Sequence, residues 1–301
     1  MCDIPTLFDA LSSCSAGSDG VISRAGDGPE VENAEAMRPL ILHAHPDDET
    51  LWTGTLLAWC ADHGIDAAVL TLTRGEEGSA IEGSLPEGST IVEVRDAERK
   101  QAFAALGTGT HGVLGSGLAR ANLEPDRVYR DSGMQWLNSG LAGPADTADE
   151  STLTAAALDD AVADAIAYAE HIGATELISY DAFGSYGHPD HVRAHEIAAE
   201  AARRTGLPLT EIASAHGPED YSSFTRFDLS AYTDTMKEAL GAYATQLRVD
   251  GDTVTHVGEQ QHPIDPTIRL RRVDPAHAGR ADEANPAADP FTEAGQGIER
   301  T

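Results

Sequence analysis

The 301-residue sequence predicts an α/β fold built on a mostly parallel sheet. Two observations predict it. Short apolar runs of strand length alternate along the chain with segments of helix length. Several of the helical segments are followed by glycine, the residue that most often ends a helix. Strands that alternate with helices of this size form right-handed βαβ units, and such units build parallel sheets.

The predicted elements follow one another through the middle of the chain. The first half contains strands at 39–42 and 67–73 and helices at 51–63 and 91–106. The second half contains a short strand at 113–114, a helix at 153–172, a strand at 176–180 and a helix at 192–204. Gly64 and Gly107 directly follow two of the helices, and Gly206 lies two residues after a third; they mark the predicted helix ends.

Composition divides the chain into four parts. Residues 1–37 are rich in Gly, Ser, Asp and Glu and are predicted to be a disordered leader. Residues 38–206 form the α/β core, and residues 207–273 are a smaller C-terminal part that completes the pocket. Residues 274–301 hold three prolines among Ala, Asp and Glu and are predicted to be a disordered tail.

The chain carries 50 acidic and 20 basic side chains, which gives a formal net charge of −30 at pH 7. A surface this acidic repels nucleic-acid phosphates and anionic lipid heads, so we predict no nucleic-acid or membrane partner. No apolar run approaches the ~20 residues that span a bilayer, and the acidic start is unlike a secretory signal. The three cysteines form no C-x-x-C pair. These features predict a cytoplasmic protein and leave its oligomeric state open.

The first candidate site is Ala44-His45-Pro46-Asp47-Asp48-Glu49, directly after the first strand. Three adjacent acids beside a histidine repel one another unless a cation or a proton lies between them. The same residues also suit the first turn of a helix, where Asp caps the backbone and Glu complements the dipole. Taken alone, this motif favours the helix start.

The second candidate site is Tyr186-Gly187-His188-Pro189-Asp190-His191, with His195 four residues further on. It shares His-Pro-Asp with the first site, and both sites follow strands at the ligand-binding edge of the predicted sheet. Two histidines and one carboxylate together provide three ligands and an open position, as a catalytic zinc ion requires. Ferrous iron is held by the same kind of triad. An alternative ligand pair is His191 with His195, at i and i+4 on one helix face.

The paired motifs at 44–49 and 187–191 resemble those of the PIG-L/LmbE-like deacetylases. Enzymes of that family use zinc to remove N-acetyl groups from glucosamine derivatives, and they have a Rossmann-like fold. The resemblance covers about residues 38–246 and implies a Rossmann-like three-layer sandwich. Further stretches at 130–134 and 244–246 resemble the branch of the family that acts in mycothiol biosynthesis.

The resemblance also implies roles for individual side chains. The implied metal ligands are His45, Asp48 and His191. Asp47 is the implied general base, which accepts a proton from the metal-bound water. His188, as an imidazolium, and the Tyr186 hydroxyl are the implied donors to the oxyanion. Either Asp47 or His188 passes the proton to the leaving amine.

The implied substrate contacts are Arg95, Asp131, Met134 and Gln246. The implied reaction is hydrolysis of the acetamide of N-acetylglucosaminyl-inositol, a small amino sugar, which releases acetate and the free amine. The implied cofactor is Zn²⁺, with Fe²⁺ as the alternative. Other functions compatible with the sequence are a mycothiol S-conjugate amidase, a different small N-acyl sugar deacetylase, an iron-dependent oxygenase and a non-catalytic sugar-binding domain.

Overall fold

A computed structural model describes residues 4–15, 21–138, 141–146, 148–214 and 221–274. Its helices are α1 (Leu7–Ser15), α2 (Asp48–Asp62), α3 (Ile91–Leu106), α4 (Leu158–Ile172), α5 (Pro189–Thr205) and α6 (Thr233–Gly241). Its strands are β1 (Pro39–His43), β2 (Ala68–Thr71), β3 (Thr110–Val113), β4 (Met134–Asn138), β5 (Leu141–Pro144), β6 (Glu176–Tyr180), β7 (Leu209–Ile212), β8 (Thr225–Asp228), β9 (Leu247–Asp250), β10 (Thr253–His256), β11 (Gln261–Pro263) and β12 (Thr267–Val273). Within these residues, no helix is both long enough and apolar enough to cross a bilayer.

A seven-stranded sheet runs in the order β3-β2-β1-β6-β7-β12-β8. The first five strands in this order are parallel, and β12 is antiparallel to both β7 and β8. Ile41 of β1 pairs with Val69 of β2 and with Ile178 of β6, and all three are fully buried. Parallel strands covered on both faces are largely apolar, which is why short apolar runs predicted β1, β2 and β6, whereas β7 was not predicted. The predicted α/β fold with a mostly parallel sheet is confirmed.

The two faces of the sheet contribute to two separate hydrophobic cores. Ile41 lies in one core, together with residues of α1, α2, α3 and α6. Leu40 and Leu42 lie in the other core, with residues of α4 and α5. This alternation has the period of two that a strand imposes on its side chains. The result is the three-layer sandwich that the resemblance implied, with β1 and β6 side by side at its centre.

The C-terminal part of the chain contributes more to the main sheet than we predicted. Strands β7, β8 and β12 extend that sheet, whereas β9, β10 and β11 form a separate three-stranded sheet. Strands β4 and β5 form a hairpin that the sequence did not predict. Of the predicted C-terminal tail, residues 275–301 lie outside the described part of the chain.

The prediction that residues 1–37 form a disordered leader is wrong where the structure describes them. Helix α1 packs into the core, and Leu7, Leu11 and Ile22 are fully buried. The Leu7 backbone N–H donates to Glu176 Oε1 at 2.5 Å, which ties the start of α1 to β6. The buried residues of α1 share one helix face. The average composition of the whole leader conceals this short amphipathic segment.

Glu176→Gln is expected to remove a pH dependence from the free energy of unfolding. Glu176 is 1% exposed, and burial raises its pKa to about 8 despite the hydrogen bond from Leu7. The unfolded side chain titrates near 4.5, so the folded state binds the extra proton. The wild type therefore loses stability as pH rises from about 4.5 through 8, by up to ~5 kcal/mol, and the variant does not. Urea unfolding at about pH 5 and about pH 9 measures both proteins, and equal pH slopes would contradict this.

Candidate metal centre

Two loops at the carboxyl ends of neighbouring parallel strands bring the two predicted motifs together. Residues 44–49 follow β1, and residues 181–191 follow β6. Because β1 and β6 pair in parallel, their carboxyl ends lie at the same edge of the sheet. The two histidine- and aspartate-rich segments therefore face each other across a short distance.

His45, Asp48 and His191, which we call the metal centre, meet at one carboxylate oxygen. Asp48 Oδ2 lies 3.2 Å from His45 Nδ1 and 3.2 Å from His191 Nε2. Asp48 is 4% exposed and His191 is fully buried. Burial favours a raised pKa for Asp48, but the adjacent His191 and His45 hold its pKa well below the usual range. The structure thus brings the three predicted ligands together around an ionised carboxylate.

His45 also contacts a second carboxylate pair with its other ring nitrogen. His45 Nε2 lies 3.2 Å from Asp190 Oδ2 and 3.6 Å from Asp131 Oδ1. Asp190 is fully buried, and its Oδ2 also accepts the Ser132 backbone N–H at 2.9 Å. A carboxylate on the far nitrogen of a ligand histidine fixes the tautomer and orientation of the ring. Asp190 is placed for this orienting role.

Several combinations of these side chains have the spacing of a metal site. Potential ligand atoms of His45, His188 and His191 lie within 4.8 Å of one another. The same holds for His45, Asp131 and Asp190. His45 belongs to both groups and also to the metal centre defined by its contacts with Asp48. The structure therefore places a cluster of potential ligands at this edge of the sheet. Distances alone do not identify which of them bind the metal.

The unpaired ring nitrogens of buried His191 are the observation that best fits a metal ion in this cluster. Both of its nitrogens lack a hydrogen-bond partner, since its approach to Asp48 does not have hydrogen-bond geometry. Leaving buried ring nitrogens unpaired is unfavourable. The ring itself is held firmly, stacked on Tyr180 at 4.3 Å and beside His188 at 5.0 Å between ring centroids. Two imidazoles and a carboxylate suit Zn²⁺ or Fe²⁺.

Asp47 lies beside the metal centre in a strained conformation. It occupies the N-cap position of α2 with φ of 111°, where a residue with a Cβ is rare, and its side chain makes no capping hydrogen bond. The carboxylate is therefore not used by the helix. Burial and the neighbouring Asp48 raise its pKa well above the usual range, against the opposing effect of Arg95.

Glu49 anchors the strained backbone of Asp47. Glu49 is fully buried, and its Oε2 accepts the Asp47 backbone N–H at 3.2 Å. Its other oxygen, Oε1, accepts from the Tyr243 hydroxyl at 2.5 Å and from the Thr50 hydroxyl at 2.7 Å. Glu49 thus connects α2 with the residues that follow α6, and it has no need to contact a substrate.

The structure bears on the expected protonation of His188. Its Nδ1 accepts the Asp190 backbone N–H at 3.1 Å and so caps α5. A ring nitrogen that accepts a hydrogen bond carries no proton, so His188 is neutral here with its proton on Nε2. Burial, together with His45 and His191, lowers its pKa well below the usual value. Both observations favour the neutral form of His188, and its role as an imidazolium stays a prediction.

Tyr186 lies beside the same histidines. Its half-buried ring packs edge-on against His191 and His188, with centroids 5.2 and 5.9 Å apart. Burial raises the pKa of its hydroxyl, with a further rise from Asp48. A phenol with a raised pKa keeps its proton, which a hydrogen-bond donor needs.

The Arg95 side chain is hydrogen-bonded to the loop that follows β2. It is 5% exposed, and its guanidinium donates to the carbonyl oxygens of Gly75 at 2.6 Å and Ser79 at 3.3 Å. A Cβ added to Gly75 or Gly78 would lie 2.2 Å from a guanidinium nitrogen, so only glycine allows this packing. Arg95 Nε is buried without a partner. Contact of Arg95 with a substrate stays a prediction.

The other predicted substrate residues lie at different depths. Asp131 is 5% exposed, its Oδ1 accepts the Gly133 backbone N–H at 2.8 Å, and it lies next to His45. Met134 begins β4 and is half-buried. Gln246 is 5% exposed, and its side-chain nitrogen has no hydrogen-bond partner. Asp131 belongs to the cluster, whereas substrate contact for all three stays a prediction.

His195 does not join the cluster. Its Nδ1 lies 3.0 Å from the Tyr180 carbonyl oxygen and 3.6 Å from Glu211, on the side of α5 that packs on the sheet. Neither histidine-containing ligand group found among the described residues includes it. The structure therefore favours His191 with His45 over the alternative pairing of His191 with His195.

A family model described as "PIG-L: GlcNAc-PI de-N-acetylase" matches residues 40–202, which is more than half of the chain. The chain belongs to this family. The match includes both motifs of the cluster and the strands and helices that position them. Membership in the PIG-L family agrees with the resemblance found in the two motifs.

Two relatives and one solved structure are similar to this PIG-L chain in sequence or in fold. It is 36% identical over 187 residues to the 1D-myo-inositol 2-acetamido-2-deoxy-alpha-D-glucopyranoside deacetylase of Kineococcus radiotolerans, covering 60% of the chain and 50% of that relative. It is 37% identical over 246 residues to the protein of the same name in Actinosynnema mirum, covering 70% of the chain and 81% of the relative. The chain thus spans half the length of the first relative and most of the second. The N,N'-diacetylchitobiose deacetylase from Pyrococcus horikoshii shares the fold, with 14% identity, a TM-score of 0.53, and coverage of 97% and 99% of the two chains.

Two residues that support the cluster of this PIG-L chain were missed in the sequence. His43 Nδ1 lies 2.9 Å from the Tyr180 hydroxyl, and His43 Nε2 lies 2.9 Å from the Thr53 hydroxyl. Tyr180 in turn stacks on His191 with an interplanar angle of 3°. The signal available in the sequence was their position, because each is the last residue of its strand.

Proposed function

We propose that this chain is a zinc-dependent deacetylase that hydrolyses the acetamide of N-acetylglucosaminyl-inositol. The observation that carries the proposal is the convergence of two buried imidazoles on one ionised carboxylate, beside an aspartate whose side chain the helix does not use. The names of the relatives, together with coverage of 81% of one of them, support the substrate. Fe²⁺ suits the same donors and is the alternative metal.

His45, Asp48 and His191 would hold the zinc ion. A zinc ion bound there supplies Lewis-acid activation of a water molecule and of the amide carbonyl. Asp47 accepts the proton of the attacking water, since its carboxylate lies next to the proposed ligand Asp48 and is not used to cap the helix. The strained backbone of Asp47 fixes that carboxylate next to the metal centre before substrate arrives.

His188 and Tyr186 stabilise the developing oxyanion as hydrogen-bond donors. Neutral His188 offers its Nε2 proton, because its Nδ1 is engaged with the Asp190 backbone N–H. That single proton is needed for the oxyanion, so His188 has none to give the leaving amine. Asp47, protonated by the attacking water, delivers the proton to the amine. Of the two routes that the sequence left open, we propose the one through Asp47.

The polar half of the substrate faces Asp131 and the loop held by Arg95. Asp131 accepts hydrogen bonds from sugar hydroxyls, because its carboxylate stays ionised next to His45. Burial alone would raise the pKa of Asp131, but His45 holds it below the usual range. Arg95, Met134 and Gln246 complete the proposed substrate contacts.

Tyr243→Phe is expected to lower kcat roughly tenfold while the metal content stays the same, because loss of one supporting hydrogen bond typically costs 10–100-fold. The hydroxyl holds Glu49, and Glu49 holds the backbone of Asp47. Tyr232→Phe is the matched control, since Tyr232 is equally buried and donates to Asp62 at 2.7 Å, away from the cluster. A control that loses as much kcat as Tyr243→Phe would contradict the role of Glu49.

The function is tested by measuring amide hydrolysis of three substrates, through the free amine that each would produce. We expect turnover of N-acetylglucosaminyl-inositol that disappears after treatment with a chelator and returns with Zn²⁺. Preference for a mycothiol S-conjugate, which releases no acetate but cleaves at its cysteinyl amide, would instead indicate the amidase. Activity confined to N,N'-diacetylchitobiose would reject both mycothiol substrates. If the zinc-loaded protein binds the sugar but does not hydrolyse it, the chain is a sugar-binding domain and not an enzyme.

A further inference from the structure

A second pair of histidines lies on the small sheet formed by β9, β10 and β11. In this sheet Val254 of β10 is paired with His262 of β11, so their side chains lie on the same face. His256 is two residues beyond Val254 on the same strand and shares that face as well. Val254 is fully buried in the hydrophobic core. The two histidines therefore share the face of the small sheet that carries Val254, with His256 half-buried and His262 exposed.

The two imidazoles approach each other through their Nε2 atoms. These atoms are 2.7 Å apart, and the ring centroids are 4.9 Å apart. His262 Nδ1 lies 3.1 Å from the carbonyl oxygen of Pro263. A carbonyl oxygen only accepts, so Nδ1 of His262 carries the ring proton and its Nε2 presents a lone pair to His256. A backbone carbonyl on the far nitrogen is also the usual support of a metal-binding histidine.

His256 is in a suitable state to be the second ligand. It is half-buried, and burial together with His262 lowers its pKa to about 4. The ring is therefore neutral at physiological pH, and a neutral imidazole is the form that binds metals.

We propose that His256 and His262 form a second divalent-metal site on the small sheet, taking Zn²⁺, Ni²⁺ or Cu²⁺. These ions prefer imidazole nitrogen, whereas Mg²⁺ and Ca²⁺ prefer oxygen. Zn–N bonds are about 2.0–2.1 Å, so two nitrogens on one tetrahedral ion lie roughly 3.3 Å apart. The pair opens to that separation by a small rotation of His262, which is exposed. Water completes the coordination, so this site binds more weakly than the metal centre.

The site is tested by counting metal ions on the full chain. Protein dialysed against excess Zn²⁺ is expected to hold two ions, and His262→Ala is expected to hold one, with the weaker binding step reduced at least tenfold. His171→Ala, which removes an exposed histidine at the end of α4, is the matched control and keeps two ions. Circular dichroism verifies that each variant is folded.

A further variant separates this site from the metal centre. His191→Ala is expected to lose the tighter ion and to keep the one held by His256 and His262. This readout measures metal content alone, so it does not depend on the proposed deacetylase activity. A wild type that binds a single ion would overturn the second site. A His262→Ala variant that binds two ions with unchanged affinity would overturn it as well.

Discussion

Asp47→Asn is expected to keep its metal and to lose about 10²–10⁴-fold in kcat, the range typical of general acid–base catalysis. The substitution keeps the size of the side chain but removes the group that takes the proton from water and returns it to the amine. It removes both proton transfers at once, which favours the upper part of that range. Because the three proposed ligands are untouched, the bound metal should stay at one ion at the metal centre.

Asparagine is the right substitution because of the backbone at this position. Asp47 has φ of 111°, and asparagine is among the few residues with a Cβ that are enriched at positive φ. Alanine would combine loss of the base with added backbone strain. Asp66→Asn, at an exposed aspartate paired with Arg38, is the surface control and should leave kcat unchanged. An Asp47→Asn variant that keeps near-normal kcat with its metal bound would eliminate Asp47 as the base and disprove the proposed mechanism.

The position of the cluster was predictable because each histidine-rich motif comes shortly after a short buried strand, directly after β1 and a few residues after β6. In β1 the residues Leu40, Ile41 and Leu42 are all buried, and His43 then ends the strand. A run of this kind identifies a central strand without help from distant residues. Neighbouring parallel strands place their ends at one edge, so the meeting of His45 with His191 followed from topology.

Elements that depend on distant partners were not predictable in this way. Strand β8 has the sequence Thr-Arg-Phe-Asp, in which only Phe227 is buried, and its partner β12 lies about forty residues further along the chain. Helix α1 is short and is stabilised by contacts with β6 and the core rather than by its own propensity. Such elements form because of packing that the local sequence does not encode.

The protonation state of His188 could not be predicted from the sequence for a different reason. The motif His-Pro-Asp-His shows that a histidine precedes α5, but it does not show which ring nitrogen faces the helix. That is decided by the hydrogen bond from the Asp190 backbone to His188 Nδ1, a detail of the cap geometry. The choice between Asp47 and His188 as proton donor therefore needed three-dimensional information.

The metal content of four variants should identify the ligands. Substitution of a true ligand is expected to cause the largest loss of metal affinity. His45 belongs to both ligand groups found among the described residues and to the metal centre, so its substitution does not discriminate between them. If Asp48 and His191 are ligands, Asp48→Asn and His191→Ala lose the metal and with it all acetate release. Their loss in affinity should exceed the ~10–100-fold that follows loss of a supporting residue. His188→Ala and Asp131→Asn should each keep one ion at this centre.

The same four variants separate binding from catalysis. His188→Ala is expected to lose about 10²–10³-fold in kcat with its metal in place, as removal of one oxyanion donor does. Asp131→Asn is expected mainly to raise KM, because its carboxylate is proposed to accept hydrogen bonds from the sugar. Loss of the metal from His188→Ala would mean that the three imidazoles are the ligands. If Asp131→Asn loses the metal while Asp48→Asn keeps it, the ion is bound by the opposite nitrogen of His45. The proposed position of Asp47 as base would then be wrong.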